Sequence, residues 1–225
     1  MRRVVTISGS YGAGGSVVGP AVAQLLDLAF LDRAVVGTDV EAAARPRGEA
    51  AVEEERTSGF FGRLAASFAT MPDAYGPGAP PGAVAPSDEA LRIEAESRVR
   101  EFVAANDGGV VLGWGASVFL AEAFHVRLDG PLEARLAQAA AIEGIDLASA
   151  RRRGEETDRI RSLYVRRLYG RDWRDWRLYH LVVDSCSLPL GEVASLLASA
   201  AQAYFRARQR GSGPGASTAQ PGTGR

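Results

Sequence analysis

The feature that most constrains the fold is a cluster of glycines between a predicted strand and a predicted helix near the start of the chain. The apolar residues Val4, Val5 and Ile7 are typical of a buried strand. Four glycines follow within seven residues, and apolar residues then recur with helical spacing from Val18 to Leu26. Glycine permits a positive φ, and a helix N-terminus adds unpaired N–H donors. We therefore expect a strand, loop and helix unit that binds an anion such as phosphate.

The glycine spacing matches the Walker A phosphate-binding motif, with one change. Gly9, Gly14 and Ser16 occupy motif positions, whereas Gly15 stands where the motif has lysine. All 26 basic residues of the chain are arginines, so no lysine elsewhere can substitute. The phosphate charge must then be met by backbone N–H groups, the Ser16 hydroxyl, a metal ion and arginines. The alternative is a tight turn between strand and helix that binds nothing.

Composition narrows the class of protein. A chain of 225 residues with 46% hydrophobic and 24% charged residues suits one globular domain. The net charge of −1 gives no general attraction to nucleic acids or membranes, so we expect neither as a partner. The single cysteine, Cys186, excludes an internal disulfide and fits a reducing compartment. We expect a cytoplasmic protein, and the oligomeric state stays open.

The order of predicted elements indicates an α/β fold with a five-stranded parallel sheet flanked by helices. The strands are expected at about residues 3–8, 29–31, 109–113, 124–129 and 180–184. Ser87 and Asp146 are predicted helix N-caps, and Pro20 is expected to delay or bend the first helix. One domain spans residues 1–208, with a flexible insert at about 38–86, an arginine-rich lid at about 146–177 and a disordered tail at 209–225.

Two further turns follow predicted strands and therefore fall at the same sheet edge as the glycine loop. Asp32 and Arg33 end the second strand, and Trp114 lies between two glycines after the third. Ligands of parallel α/β sheets bind outside the carboxyl ends of the strands. We expect the Trp114 turn to lie beside the glycine loop. Asp32 and Arg33 either face a substrate or pair with one another at the surface.

The segment from Arg151 to Arg177 concentrates positive charge. It contains ten arginines and five acidic residues, a local balance of +5. Arginine clamps phosphate in a bidentate manner and stabilises a transferring phosphoryl group. The alternative is a solvated helix with pairs such as Glu155 with Arg159. Interleaved aromatic residues also suggest RNA binding, which the overall net charge disfavours.

Taken together, these motifs resemble the cytidylate kinase-like family of P-loop proteins, which has a three-layer P-loop kinase fold. The similarity extends over about residues 3–205. The segments that carry it are Ile7–Gly15, Phe30–Arg33, Gly113–Gly115, Leu128–Arg135, Asp158–Arg161, Tyr169–Trp173 and Tyr179–Asp184.

The resemblance implies phosphoryl transfer from ATP to a nucleoside monophosphate, CMP or dCMP, with Mg²⁺. It assigns the donor phosphates to Gly9, Ser10, Tyr11, Gly12, Ala13, Gly14, Gly15 and Ser16, with Ser16 near the magnesium ion. It assigns the acceptor to Asp32, Arg33 and Trp114. It implies that Arg161, with Arg159 and Arg153, reaches the transferring phosphoryl group from the lid.

Two positions depart from this pattern. Gly15 replaces the lysine of true cytidylate kinases, and Trp114 stands where the family usually has arginine. Tryptophan offers one N–H donor and no charge, so it cannot replace a bidentate arginine. Trp114 either stacks on a base or packs beneath the loop. These departures support an alternative function, a nucleotide-binding sensor or interaction protein that has lost catalysis.

Overall fold

The computed structural model describes residues 2–32, 87–113 and 115–211. The predictions made for Arg33, for Trp114 and for the insert at 38–86 lie outside these residues. The tail predicted at 209–225 also lies outside them, except for residues 209–211. These three residues belong to a helix, so the prediction of disorder is wrong for them.

The sheet has five strands, all parallel, in the order β2-β3-β1-β4-β5. Their bounds are β1 Arg3–Gly9, β2 Phe30–Leu31, β3 Gly108–Leu112, β4 Phe124–Asp129 and β5 Leu181–Asp184. β3 is buried along its whole length, as is expected of a parallel strand covered on both faces. The predicted fold class, an α/β protein with a five-stranded parallel sheet, is confirmed.

Six α-helices and one short 3-10 helix are found in the described residues. Their bounds are α1 Gly15–Leu26, α2 Asp88–Ala105, α3 Ala116–Phe119, α4 Leu132–Glu143, α5 Leu147–Tyr169 and α6 Leu190–Gly211, with the 3-10 helix at Trp176–Leu178. The predicted caps are confirmed: the Ser87 side chain accepts from Ala90 N–H, and the Asp146 side chain accepts from Ser149 N–H.

The expected delay of α1 is wrong. The helix begins at Gly15 and continues through Pro20 to Leu26. A proline inside a helix removes one hydrogen bond, here to the carbonyl four residues earlier, which belongs to Ser16. Ser16 and Pro20 are both exposed, so water reaches the first turn and the lost bond is tolerated.

The sheet is covered on both faces, which gives three layers. On one face α1 and α6 pack against the strands, with Val22, Leu197 and Ile7 completely buried. On the other face α2, α3 and α5 pack against Val4 and Val111. Helix α4 packs against α5 in a third, smaller cluster. No helix of the described residues is both long and apolar enough to cross a bilayer.

Parallel pairing places the carboxyl ends of the strands at one edge of the sheet. There Gly9 ends β1, Asp129 ends β4 and Asp184 ends β5, while Asp32 and Gly113 directly follow β2 and β3. The glycine loop therefore lies at the centre of this edge, because β1 is the central strand.

A buried histidine lies away from this edge, near the start of β4. Thr6 Oγ1 and His125 Nδ1 are 2.7 Å apart, and His125 N–H donates to His180 Nδ1 at 2.9 Å. The two imidazole rings stack with centroids 5.2 Å apart. Burial, with a smaller contribution from His180, lowers the pKa of His125 from 6.5 to about 4. His125 is therefore neutral in the folded protein at neutral pH.

This pKa predicts a specific loss of stability in mild acid. Above pH 6.5 His125 is neutral in both states, whereas between pH 6.5 and about 4 only the unfolded chain takes up the proton. We expect the free energy of unfolding to fall by about 2 kcal/mol more in the wild type than in His125→Gln between pH 7.5 and pH 5. Urea unfolding at both pH values measures the difference. Equal losses in the two proteins would contradict the prediction.

Candidate phosphate-binding site

The glycine loop, residues 9–16, comprises the last residue of β1, the turn after it and the first two residues of α1. Gly12 and Gly14 adopt left-handed conformations, with φ of 76° and 74°. A Cβ atom at Gly12 would lie 2.1 Å from the carbonyl oxygen of Arg135. Gly14 is the N-cap of α1 and has no side chain to cap the helix. Glycine at these two positions therefore allows both the turn and the close approach of α4.

The backbone carbonyls of the loop accept hydrogen bonds from the surrounding protein. Ser10 O and Gly14 O accept from backbone N–H groups of Ala13 and of the first turn of α1. The other four carbonyls between Gly9 and Gly14 accept from side chains: Gly9 O from Arg161 Nη1 (2.7 Å), Tyr11 O from Arg135 Nη1 (2.6 Å), Gly12 O from Gln138 Nε2 (2.8 Å) and Ala13 O from Ser185 Oγ (2.8 Å).

The backbone N–H groups of the loop make fewer hydrogen bonds with the described residues than its carbonyls do. Those of Gly12, Gly14, Gly15 and Ser16 have no acceptor within the described part of the chain. Successive N–H groups around left-handed glycines form an anion-binding nest, and the dipole of α1 adds positive potential at the same place. Since the carbonyls are already held by the protein, the arrangement offers donors to a ligand. It fits a phosphate group.

An ion pair between the buried Arg127 and the half-buried Asp129 supports the start of the loop. Asp129 accepts hydrogen bonds from Ser10 Oγ at 2.9 Å and from Arg127 Nη2 at 2.6 Å. Arg127 is 4% exposed, lies 4.4 Å from the centroid of the Trp173 ring and donates to the Trp173 carbonyl. Burial alone would raise the pKa of Asp129, but the hydrogen bonds from Arg127 and Ser10 outweigh it and lower the pKa. Asp129 is therefore ionised and holds the Ser10 side chain.

Helix α5 contacts the loop through an acid and an arginine. Asp158 Oδ1 accepts from Tyr11 N–H at 2.7 Å and lies 3.5 Å from Arg161 Nη1. The other oxygen of Asp158 lies 3.3 Å from Arg135 Nη1. Two guanidinium groups and one carboxylate therefore lie against the loop backbone on this side.

The three arginines that the resemblance assigns to the lid lie in different surroundings. Arg161 reaches the loop at Gly9 O. Arg153 pairs with Glu143 at 3.0 Å, and the same carboxylate oxygen accepts from the Tyr11 hydroxyl at 2.8 Å. Arg159 is exposed and has no polar partner among the described residues, so the alternative pair with Glu155 is not formed. The structure brings Arg161 to the loop, but not Arg153 or Arg159.

The turn after β3 lies beside the glycine loop, as predicted. Gly113 N–H donates to Ile7 O at 2.9 Å, and Gly113 and Gly115, on either side of position 114, have φ of 80° and 67°. Asp32 follows β2, one strand further from β1, and is half-buried. Of the acceptor residues implied by the resemblance, Asp32 is therefore at the correct edge, separated from the loop by β3.

Several loop-holding residues received no role from the sequence. Arg135 and Asp158 lie inside segments that carry the family resemblance, so a signal was present for them. No such signal was present for Gln138 and Ser185, because only the tertiary fold brings these residues to the loop. The aromatic residues Tyr164 and Trp173 of the arginine-rich segment are buried, so their rings are not available to stack on bases.

Ser16 has the properties required of a magnesium ligand. Its side chain is exposed and has no partner among the described residues. The described residues contain no group of three or more His, Cys, Asp or Glu side chains that would hold a metal by themselves. Mg²⁺ is commonly held by one or two protein oxygens together with phosphate oxygens and water. The residues present therefore fit a magnesium ion that arrives with a nucleotide.

The sequence is similar to known proteins. The model of the cytidylate kinase-like family matches residues 4–187. The cytidylate kinase of Methanopyrus kandleri is 34% identical over 129 residues, which are 52% of this chain and 66% of that relative, slightly less than two thirds of its length.

Solved structures are similar at lower sequence identity. An uncharacterized protein from Eubacterium ventriosum aligns with a TM-score of 0.57 and 13% identity, over 89% of this chain and 99% of that one. This likeness concerns the fold alone. A shikimate kinase from Bacteroides thetaiotaomicron aligns over 92% of this chain and 99% of its own, with a TM-score of 0.44 and 13% identity, which is too weak to support an argument.

The close approach at Gly12 predicts an unusually costly substitution. Gly12→Ala adds a methyl group 2.1 Å from a backbone oxygen, in addition to the strain of a positive φ. Gly144→Ala is a matched control, because Gly144 has φ of 65° and nothing within 4 Å of its Cβ position. We expect the control to lose about 1 kcal/mol of unfolding free energy and Gly12→Ala about 2 kcal/mol more. Similar losses in urea unfolding would show that the loop and α4 are not in close contact.

Proposed function

The chain belongs to the cytidylate kinase-like family, and from that premise we propose that it transfers a phosphoryl group from ATP to a nucleoside monophosphate, CMP or dCMP. The observation that carries the proposal is the nest of four available N–H groups at the carboxyl edge of the sheet, in a loop whose first carbonyl, Gly9 O, accepts from Arg161. The name of the Methanopyrus kandleri relative supports cytidylate as the substrate class. We also propose that the protein acts in the cytoplasm.

We assign the donor phosphates to residues 9–16. A triphosphate would accept hydrogen bonds from the N–H groups of Gly12, Gly14, Gly15 and Ser16, at the positive end of α1. Phosphoryl transfer depends mainly on positioning and on stabilisation of charge, so it needs no nucleophilic side chain from the protein. Ser16 would hold Mg²⁺, which would supply positive charge against the phosphates.

We assign the acceptor to the two turns on the β2 and β3 side of the loop. Asp32, Arg33 and Trp114 follow these strands, and the acceptor phosphate would have to lie between them and the donor phosphates. Arg161 is the arginine best placed to contact the transferring group. Arg159 is exposed on the same helix and would add charge, whereas Arg153 would first have to leave Glu143.

A second candidate function is nucleotide binding without catalysis, as a sensor or interaction protein. Gly15 in a chain that contains no lysine supports this candidate, as does Trp114 at a position where the family usually has arginine. The two candidates share the phosphate site and differ in whether the bound acceptor is oriented and neutralised well enough for transfer.

The first experiment is a measurement of ADP release by the purified protein with ATP and Mg²⁺. CMP, dCMP, UMP, AMP and no acceptor are compared at equal concentration. We expect ADP release that depends on the acceptor and is fastest with CMP or dCMP. Thermal stabilisation by ATP without turnover would favour the non-catalytic candidate. Absence of both responses would show that the loop is only a turn.

Substitution of Trp114 separates the two candidates further. Trp114→Arg introduces a group that can bind the acceptor phosphate in a bidentate manner. If the protein is a decayed kinase, the variant gains acceptor-dependent turnover of tenfold or more. Trp114→Leu serves as the control, because it removes the indole without adding charge. Unchanged turnover in Trp114→Arg would indicate that the residue has a structural role.

A further inference from the structure

We propose that Arg161, reaching the loop from α5, supplies the positive charge that lysine supplies in a Walker A loop and that Gly15 cannot. The inference rests on the proposed function in one respect: the loop must bind the phosphates of ATP. It goes further in assigning Arg161 to binding of the donor nucleotide before any chemistry, in addition to contact with the transferring group.

Position 15 itself faces an apolar wall. A Cβ atom added at Gly15 would lie 3.1 Å from Leu112 Cδ1, at the end of β3. Gly15 does not have a positive φ, so its conformation suits any residue. A side chain there would require only a small shift of one flexible leucine methyl group. Glycine at position 15 is therefore not required by the backbone conformation of the loop.

Arg161 is held against the loop by a hydrogen bond to its backbone. Its Nη1 atom donates to Gly9 O, the first residue of the loop, at 2.7 Å, although the two residues are 152 positions apart in sequence. The side chain is only 15% exposed. A guanidinium that is largely removed from water acts on nearby charges through a lower effective dielectric constant than an exposed one does.

Helix α5 presents one face to the loop, which fixes this position. Gly154, Asp158 and Arg161 are spaced by four and three residues, so they lie on the same side of the helix. A Cβ atom at Gly154 would be 3.0 Å from Tyr11 Cδ1, and Asp158 accepts the Tyr11 N–H. Three successive turns of α5 therefore contact the loop, and Arg161 is the cationic member.

The charged groups in contact with the loop have a positive balance to which Arg161 contributes. Arg127, Arg135 and Arg161 donate to the loop backbone or to Ser10, whereas Asp129 and Asp158 accept from it. Arg127 pairs with Asp129, Arg135 contacts both acids, and Arg161 lies 3.5 Å from Asp158. Replacement of Arg161 by a neutral residue would reduce the balance of these five groups from +1 to zero. The attraction of the site for a polyanion such as ATP would then be weaker.

The test is a rescue experiment on ATP affinity, measured by isothermal titration calorimetry with ATP and Mg²⁺. Arg161→Ala is expected to raise the Kd for ATP at least tenfold. Adding Gly15→Lys to that variant is expected to recover most of the loss, because lysine restores the charge from the motif position. Gly15→Ala combined with Arg161→Ala is the matched control, since it introduces the same Cβ contact with Leu112 and no charge.

A second pair of variants separates charge from structural support of the loop. Arg161→Gln keeps an N–H donor for Gly9 O but removes the charge, and Arg161→Lys keeps the charge. We expect Gln to weaken ATP binding nearly as much as Ala, and Lys to retain part of the affinity. Thermal unfolding without nucleotide shows which variants are folded. If Gln binds ATP as the wild type does, Arg161 only supports the loop and the inference is overturned.

The outcomes for the inference and for the proposed function are distinct. A wild-type protein that does not bind ATP at all would refute the proposed function. A wild type that binds ATP, with Arg161→Ala binding equally well, would overturn the inference and leave the proposed function standing. Loss of affinity that a folded Gly15→Lys variant does not restore would also overturn it, because the two cations would then not be interchangeable.

Discussion

The geometry of the candidate phosphate-binding site depends on how the carbonyl groups of the glycine loop are satisfied. A short loop with two left-handed glycines can pair few of its own carbonyls, and buried carbonyls without partners are costly. Here four of them accept from Arg135, Gln138, Arg161 and Ser185. These donors belong to α4, to α5 and to the turn after β5. The N–H groups of the loop stay available to a ligand because the surrounding side chains hydrogen-bond to the loop carbonyls instead.

Arginine, the only basic residue apart from histidine in this chain, is well suited to hold the loop carbonyls. A guanidinium offers five donors in a plane, so one arginine can serve several acceptors at once. Arg135 donates to Tyr11 O and to Gly130 O and also lies near Asp158. Arg127 does the same for Trp173 O, Ser10 and Asp129, with its face on the Trp173 ring. The site is therefore continuous with the hydrophobic core beneath it.

This continuity changes the interpretation of the arginine-rich segment. Residues 147–169 form one helix whose inner face packs on α2, α4 and the loop, and Tyr164 and Trp173 are core residues. The segment expected to form a lid therefore also supports the glycine loop, the proposed donor site. Any movement that brings further arginines to a substrate must keep or replace the contacts of Asp158 and Arg161 with the loop.

The sequence by itself determined the features that depend on local chain properties. Strand and helix positions, the caps at Ser87 and Asp146 and the glycine turns follow from periodicity, side-chain capping and glycine's access to positive φ. The order of these motifs was also sufficient to identify the family, which the match over residues 4–187 confirms. The site residues assigned by resemblance remain predictions.

Only the tertiary structure decided which side chains meet. It selected Arg161 over Arg153 and Arg159 as the arginine at the loop, and it recruited Gln138 and Ser185. It also allowed α1 to begin before Pro20. The physical reason is the distance in sequence: the side chains that hold the loop come from 124 to 172 residues away, so their contacts depend on how helices pack on the sheet and leave no local pattern.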